Sequence, residues 1–228
     1  MTKTIENLFV WMSAGSDVLI ILLYLVNFKK ISAEKGLWAI LIYCAASVIT
    51  NTIGDYVLPS NYKYIFYTFF TLLEYLIFSS FLYLSIASKP FKRAMLLFSV
   101  LFFLFVVGYL NFAKHGKIDS VCIGIETILI ILYSFWFLYE QMNNTNNLFI
   151  YNKYEFWIIT GFLIYLAGSF FIYIFANAMN DNFLIKYWFL TNVFYIIKNL
   201  FFGIAIYNLI RKKQESSRSS KSLHPYLR

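Results

Sequence analysis

The feature that most constrains this chain is a series of seven apolar blocks, each about 20 residues long and bounded by charged residues. A helix rises about 1.5 Å per residue, so a block of this length crosses a hydrocarbon core of roughly 30 Å. With 61% hydrophobic and only 13% charged residues, the chain has more apolar surface than one water-soluble core can bury. The sequence therefore predicts an all-α membrane protein, a bundle of seven transmembrane helices.

The blocks and their charged boundaries predict the limits of the spans. These cover residues 8–28, 37–58, 64–87, 95–113, 121–142, 155–176 and 187–210. Residues 1–210 are expected to form one transmembrane domain, and residues 211–228 a basic, flexible tail. Pro59 and Pro90 fall between the predicted spans, so we expect the helices to be fairly straight.

The distribution of Lys and Arg predicts the orientation in the membrane. If the N-terminus lies outside, the cytoplasmic side contains Lys29, Lys30, Lys35, Lys89, Lys92, Arg93, Lys153, Arg211, Lys212, Lys213, Arg218, Lys221 and Arg228. The outer side then contains Lys3, Lys63, Lys114, Lys117 and Lys186. Because cytoplasmic loops are enriched in Lys and Arg, the N-terminus is predicted outside and the C-terminus in the cytoplasm. This charge lies in short loops and the tail, so its expected partner is the lipid bilayer and not a nucleic acid.

Five ionisable residues occur within the predicted spans. Asp17, Glu74 and Lys198 lie near the middle of the first, third and seventh spans, while Asp55 and Glu126 lie in the outer parts of the second and fifth. A charged side chain at the centre of a bilayer costs about 2.5–3.5 kcal/mol on insertion scales. We therefore expect these five side chains to face protein or water and not lipid.

Helical spacing places further polar residues beside them. Asn51 lies one turn before Asp55, and Tyr195 shares one side of the last helix with Lys198. The candidate ligand-binding cluster comprises Asp17, Asn51, Asp55, Glu74, Glu126, Tyr195 and Lys198. Lys198 is expected to pair with Glu74 or Asp17. Two interpretations remain open: the groups only hold helices together by hydrogen bonds, or they line a polar cavity that opens outward and suits a cation, an amine or a proton.

Catalytic and metal-binding patterns are not found in the sequence. It contains no nucleophile paired with a base, no phosphate-binding loop and no cluster of Cys and His. We therefore predict that the protein is not an enzyme and holds no metal. Cys44 and Cys122 fall at different depths of their spans, which predicts two buried, unbridged thiols.

Two segments resemble a known group of proteins. The sequence EFWIITGFLIYLAGSFF in the sixth span and TLLEYLIFSS around Glu74 resemble uncharacterised bacterial seven-helix membrane proteins of about this length. The resemblance covers nearly the whole chain. It implies a seven-helix fold in a bacterial inner (plasma) membrane. It supplies no activity, and only by analogy does it suggest sensing on behalf of a separate kinase.

The layout also resembles that of microbial rhodopsins, with a mid-membrane lysine, Lys198, in the last helix and an acid, Glu74, in the third. In that family the lysine carries retinal as a Schiff base. The resemblance is confined to layout, because Phe194 stands where an aspartate is expected and no arginine lies one turn before Glu74. It implies retinal as a possible cofactor on Lys198, and no other cofactor is expected.

The buried charges and the lack of an attached effector domain together predict a function class. We expect a receptor-like sensor that binds a small ligand or cation within the membrane and signals through a separate cytoplasmic protein. A proton- or cation-coupled transporter is the alternative, although such carriers typically contain hinge prolines within their spans. A retinal-binding photoreceptor or pump is the further alternative.

Overall fold

The structure is a computed structural model. It describes the backbone of residues 3–112, 118–143 and 150–223. Within these ranges, the side chains of residues 3–7, 55–56, 60–61, 181–183, 185 and 216–223 are outside the description.

All regular structure in the described ranges is helical. The helices are α1 Lys3–Val26, α2 Phe28–Ile31, α3 Lys35–Tyr56, α4 Ser60–Ser85, α5 Lys89–Phe112, α6 Ser120–Met142, α7 Tyr154–Phe175 and α8 Asp181–Leu223, with a single 3-10 turn at Ile150–Asn152. All of the α-helices except the short α2 are long and apolar enough to cross a membrane, which makes seven candidate spans. The protein is therefore a multi-pass membrane protein built from a helical bundle.

Helix α5 begins earlier than the sequence predicts, at Lys89 and not at residue 95. The prediction that Pro90 lies in a loop is wrong, because Pro90 is the second residue of this helix. A proline is tolerated in the first turn, where its missing N–H would have no acceptor within the helix. The basic side chain of Lys92 lies over the ring of Tyr83 at 4.9 Å, which accommodates a charge near the helix start.

Helix α8 is longer than a span requires. It comprises 43 residues, or about 65 Å at 1.5 Å per residue, roughly twice the thickness of the hydrocarbon core. The apolar block ends near residue 210, but the helix continues as far as Leu223, into the segment expected to be flexible. An ion pair one turn apart, between Arg211 and Glu215 at 2.9 Å, supports the helix beyond the apolar block.

Helix α8 lies between two of the spanning helices. It packs against α1 and α7, while α6 packs between α4 and α7. Gly161 of α7 allows the close approach to α8, because a Cβ atom there would lie 3.1 Å from the carbonyl oxygen of Lys198. Helix α5 contacts α4 and α6 at the periphery, and its Leu97 and Leu104 are each 60% exposed, as expected for a surface that faces lipid.

Candidate functional site

Lys198 occupies the middle of the bundle and is fully buried. Its ammonium nitrogen lies 3.3 Å from the ring centroid of Tyr195, 4.0 Å from that of Tyr43 and 4.6 Å from that of Tyr165. The same nitrogen donates a hydrogen bond of 2.6 Å to the Tyr43 hydroxyl oxygen. Aromatic faces stabilise a cation through the ring quadrupole, most strongly where water is excluded. An aromatic cage of three tyrosines therefore replaces the hydration shell of this ammonium group.

Two tyrosines connect Lys198 to the carboxyl groups of Glu74 and Asp17. Tyr43 donates a hydrogen bond of 2.8 Å to Glu74 Oε1 while accepting from Lys198. The hydroxyl of Tyr195, whose ring covers the ammonium, donates to both carboxylate oxygens of Asp17, at 2.8 and 3.0 Å. Among the described side chains, no carboxylate oxygen lies within salt-bridge distance of Lys198 Nζ. Lys198 interacts electrostatically with both Asp17 and Glu74, as expected, and the Tyr43 hydroxyl lies between the ammonium and Glu74.

Asp17 is held by groups from two other helices. Besides Tyr195, the side-chain amide of Asn199 donates to Asp17 Oδ1 at 2.8 Å and to Ser16 Oγ at 2.7 Å. Ser47 of α3 lies 2.6 Å from the Tyr195 hydroxyl. Asp17 itself is fully buried. The Lys198 network, defined as Asp17, Tyr43, Ser47, Glu74, Tyr195, Lys198 and Asn199, therefore joins α1, α3, α4 and α8 near the middle of the membrane.

Of the two other predicted residues on α3, only Asn51 has a described side chain. Asn51 is exposed, and its side-chain amide donates one long hydrogen bond of 3.4 Å to Ser47 Oγ. The side chain of Asp55 lies outside the described residues, so the structure leaves its predicted role untested. The polar cavity that opens outward therefore stays a prediction.

Glu126 is buried in the interface between α6 and α4 and is 1% exposed. Its Oε1 atom has no hydrogen-bond partner. The carboxyl group interacts electrostatically with Glu74 and with Asp119, the residue before α6. Asp119 accepts a hydrogen bond of 2.8 Å from Thr71 of α4. Burial raises the pKa of Asp119, and the hydrogen bond from Thr71 opposes this rise.

An apolar crevice lies beside the tyrosine cage. It encloses about 10 Å³ of cavity volume, room for about one water molecule, and its lining includes Tyr43, Phe78, Phe162 and Phe202. Small-molecule pockets usually contain about 300–1,000 Å³. In the described part of the chain the polar groups of the network contact one another, and no three His, Cys, Asp or Glu side chains are arranged to hold a metal ion.

Several residues of the site were missed by sequence reasoning. Tyr43 and Tyr165 lie within apolar spans and count as apolar, so the hydropathy pattern does not indicate that their hydroxyls make polar contacts. Asn199 follows Lys198 directly, and neighbouring residues of a helix point about 100° apart. Helical spacing therefore does not predict that Asn199 and Lys198 both face the network, where Asn199 contacts Asp17. Tyr43 could have been found, because it lies one helical turn before Ser47. Asp119 precedes the predicted fifth span, so the search for ionisable residues within spans does not find it.

Comparisons of the chain with family models, with curated proteins and with solved structures find no match. The helical layout is loosely consistent with the resemblance to uncharacterised seven-helix membrane proteins. The contacts of the Lys198 network are therefore the basis for a functional proposal.

Proposed function

We propose that this protein is a receptor-like sensor of the bacterial inner membrane. A small ligand or cation changes the charge balance of the Lys198 network, and α8 carries the change to a separate signalling protein. One observation carries the proposal: the same helix supplies Tyr195, Lys198 and Asn199 to the network and continues unbroken to Leu223, beyond the apolar span.

Leaving a buried charge without its partner raises the free energy of that conformation, and in the proposed sensor this free energy drives the conformational change. Removing one partner from a buried pair costs about 3–5 kcal/mol, because the remaining charge is left uncompensated. A ligand that neutralises Glu74 or Asp17 therefore favours a different position of Lys198. Since Lys198 belongs to α8, a shift of the ammonium group moves the helix, and packed helices typically shift by about 1–2 Å in such transitions.

The far part of α8 has a contact that such a shift would change. Lys213 forms an ion pair of 3.1 Å with Glu34, which directly precedes α3. About one third of each side chain is exposed, so the ion pair is screened by water and contributes little stability. A small movement of α8 is enough to break it and to expose basic residues to an acidic partner surface. The predicted orientation places this end of α8 in the cytoplasm.

The proposal is tested by measuring the position of α8 when the network loses a charge. Spin labels are attached at Lys30→Cys and Lys212→Cys, two exposed positions near the Glu34–Lys213 pair. The buried thiols are removed by Cys44→Ala and Cys122→Ala. The label-to-label distance is then measured by pulsed electron paramagnetic resonance with and without Glu74→Gln.

We expect Glu74→Gln to shift the distribution of label-to-label distances by at least about 1 Å. Glu155→Gln is the matched control, because it removes a carboxylate at the start of α7, away from the network. An unchanged distribution in Glu74→Gln, in a variant that is still folded, would contradict the coupling of the network to α8.

A transporter is the alternative, and the interaction of Glu126 with Glu74 and Asp119 favours it, since carboxyl groups in sequence along a bundle can serve as a proton relay. Reconstituted vesicles distinguish the two functions. Proton or monovalent cation flux that disappears in Glu74→Gln would support transport. A sensor gives no flux and still shows the label displacement.

Retinal attached to Lys198 is the further alternative. The amino group lies beside an apolar, aromatic crevice, but three tyrosine rings enclose it and the crevice is smaller than a usual ligand pocket. A visible absorption band in protein expressed with retinal, lost in Lys198→Ala, would establish this chemistry and replace the sensor proposal.

A further inference from the structure

Among the predicted site acids whose side chains the structure describes, Glu126 is the one without a hydrogen bond, although its side chain is almost completely shielded from water. Glu74 and Asp17 accept hydrogen bonds from tyrosines, and Asp119 accepts one from Thr71. Buried polar atoms without a partner are rare in folded proteins, and each requires a physical explanation.

The position of Glu126 on α6 places it within a buried stripe. Asp119 lies seven residues earlier, and Ile130 and Tyr133 lie four and seven residues later, so all four share one face of the helix. Each of them is buried. This face packs against α4, from which Glu74 interacts with the Glu126 carboxyl group. The site is therefore an interface between two helices and not a surface that lipid or water reaches.

Among the described side chains, those that interact with Glu126 include acids and no cation. From α4 it interacts with Glu74 and Tyr75, and from its own chain segment with Asp119 and Cys122. The titratable groups of α7 that face this region, Tyr165 and Tyr173, interact with Glu74. The described side chains of α5 contribute no charged group to the interaction with Glu126. Lys198 interacts with Glu74 and Asp17, and a tyrosine hydroxyl stands between it and Glu74.

Among the described residues, an ionised Glu126 carboxylate would have neither a hydrogen-bond donor nor a counter-ion of its own. Burying such a charge in a low-dielectric interior costs more than binding a proton, so the group neutralises instead. A second carboxyl group nearby adds repulsion and favours the same outcome. A bound metal ion does not offer an alternative source of positive charge, because no three His, Cys, Asp or Glu side chains among the described residues are arranged to hold one.

We infer that Glu126 is a proton-binding site, and that the ligand of the proposed sensor is the proton. A proton from water binds to the Glu126 carboxylate, forms its O–H bond there and removes one negative charge beside Glu74. No other group changes its covalent state. Asp119 lies on the same helical face as Glu126, about 10 Å along the helix axis towards the start of α6. This inference deepens the proposed function and rests on it for the meaning of the signal.

The experiment is difference infrared spectroscopy of the purified protein in lipid vesicles, titrated from neutral to alkaline pH. The carbonyl-stretch band of a protonated carboxyl group is separate from the bands of a carboxylate. We expect one such band at neutral pH, and we expect it to be lost in Glu126→Gln. Glu215→Gln is the matched control, because it removes an exposed carboxylate of α8 and should leave the band unchanged.

Isotope labelling keeps the test independent of whether the variant folds. Protein labelled with carbon-13 only in glutamate should show the same band shifted, because its carbonyl carbon is heavier. A band that does not shift belongs to an aspartate, and the inference is then wrong. The inference is equally wrong if the wild-type protein has no band at neutral pH, or if folded Glu126→Gln retains it in full.

The infrared and spin-label results separate the two proposals. Loss of the band in Glu126→Gln with no label displacement in Glu74→Gln would establish a proton site without the α8 coupling. Label displacement with no protonated glutamate would support a sensor whose ligand is not the proton. An acid-dependent flux across vesicles that Glu126→Gln abolishes would assign the same proton to transport.

Discussion

The Lys198 ammonium and the Tyr43 hydroxyl are joined by a hydrogen bond of 2.6 Å in the middle of the bundle, and the ring of Tyr43 lies 4.0 Å from the same nitrogen. One tyrosine therefore compensates the buried charge in two ways, as a hydrogen-bond acceptor and as an aromatic face. Its hydroxyl also donates a hydrogen bond of 2.8 Å to Glu74 Oε1. Tyr43 of α3 thereby connects α8, through Lys198, to α4, through Glu74.

Tyr43→Phe should destabilise the protein while leaving the ring in place. The substitution removes the acceptor of Lys198 and the donor to Glu74, and leaving a buried polar partner unsatisfied costs about 1–3 kcal/mol. The free energy of unfolding in lipid bicelles measures the loss. Tyr207→Phe is the control, because Tyr207 is 64% exposed on α8 and should change stability by little. Equal stability of the two variants would argue against the hydroxyl bridge.

Lys198→Met should destabilise the protein more than Tyr43→Phe does. It leaves Glu74 and Asp17 without a nearby cation, and breaking a buried charge pair costs about 3–5 kcal/mol. Adding Glu74→Gln to the same protein should recover part of this loss, since it removes one uncompensated charge. A double-mutant cycle on unfolding free energies measures the coupling. If the two losses simply add, the two residues are not energetically linked.

Gly161→Ala should weaken the packing of α7 against α8. The added Cβ would lie 2.9 Å from Phe201 Cβ and 3.1 Å from the Lys198 carbonyl oxygen, and neither a Cβ atom nor a backbone oxygen moves without shifting the helix. Overpacking of this kind costs about 1–3 kcal/mol. Gly15→Ala provides the comparison, because no atom lies within 4 Å of the added carbon. We expect a lower thermal midpoint for Gly161→Ala alone, and a similar midpoint for both would show that α7 can move freely.

Glu140→Gln should loosen the connection between α4 and α5. The Glu140 carboxylate accepts hydrogen bonds of 2.8 Å from the backbone N–H groups of Ala87 and Ser88, just before α5. Hydrogen bonds to a charged acceptor contribute about 1.5–3 kcal/mol. Backbone hydrogen exchange at residues 87–91 should become faster in the variant, while exchange in α7 stays unchanged. Unaltered exchange at these amides would show that the carboxylate does not hold the connection.

Asp119 predicts a dependence of stability on pH. Burial raises its pKa in the folded protein above the ordinary value of about 3.9. Between the two values the folded protein binds more protons at this site than the unfolded chain does, so this contribution to stability falls as the pH rises. Below the ordinary value both states are protonated and the contribution is fully present.

The unfolding free energy measured from about pH 3 to pH 7 in wild type and Asp119→Asn tests this prediction. The variant should lose the part of the downward slope that Asp119 contributes. Glu215→Gln, at an exposed position, serves as the control and should keep the slope. An identical slope in Asp119→Asn would mean that another group is responsible.

The sequence alone was sufficient for the fold class and for most of the buried charges. An apolar block of span length predicts a helix however the helices are later packed together, because a helix satisfies all its backbone polar groups within the one segment. The cost of burying Asp17, Glu74, Glu126 and Lys198 likewise predicts that they face the interior, and all four are buried. These conclusions follow from the length and chemistry of each segment taken by itself.

The tertiary structure decided which of those residues meet. Helical spacing shows that Lys198 and Tyr195 share a side of α8, but the distance from Lys198 to a carboxyl group depends on how the helices are rotated and how closely they pack. Close packing at Gly161 and the tyrosine rings of α3 and α8 set that distance, so Lys198 reaches Glu74 through Tyr43 and not directly. The bridging hydroxyls belong to residues whose rings make them count as apolar, and only their positions in space show the polar contact.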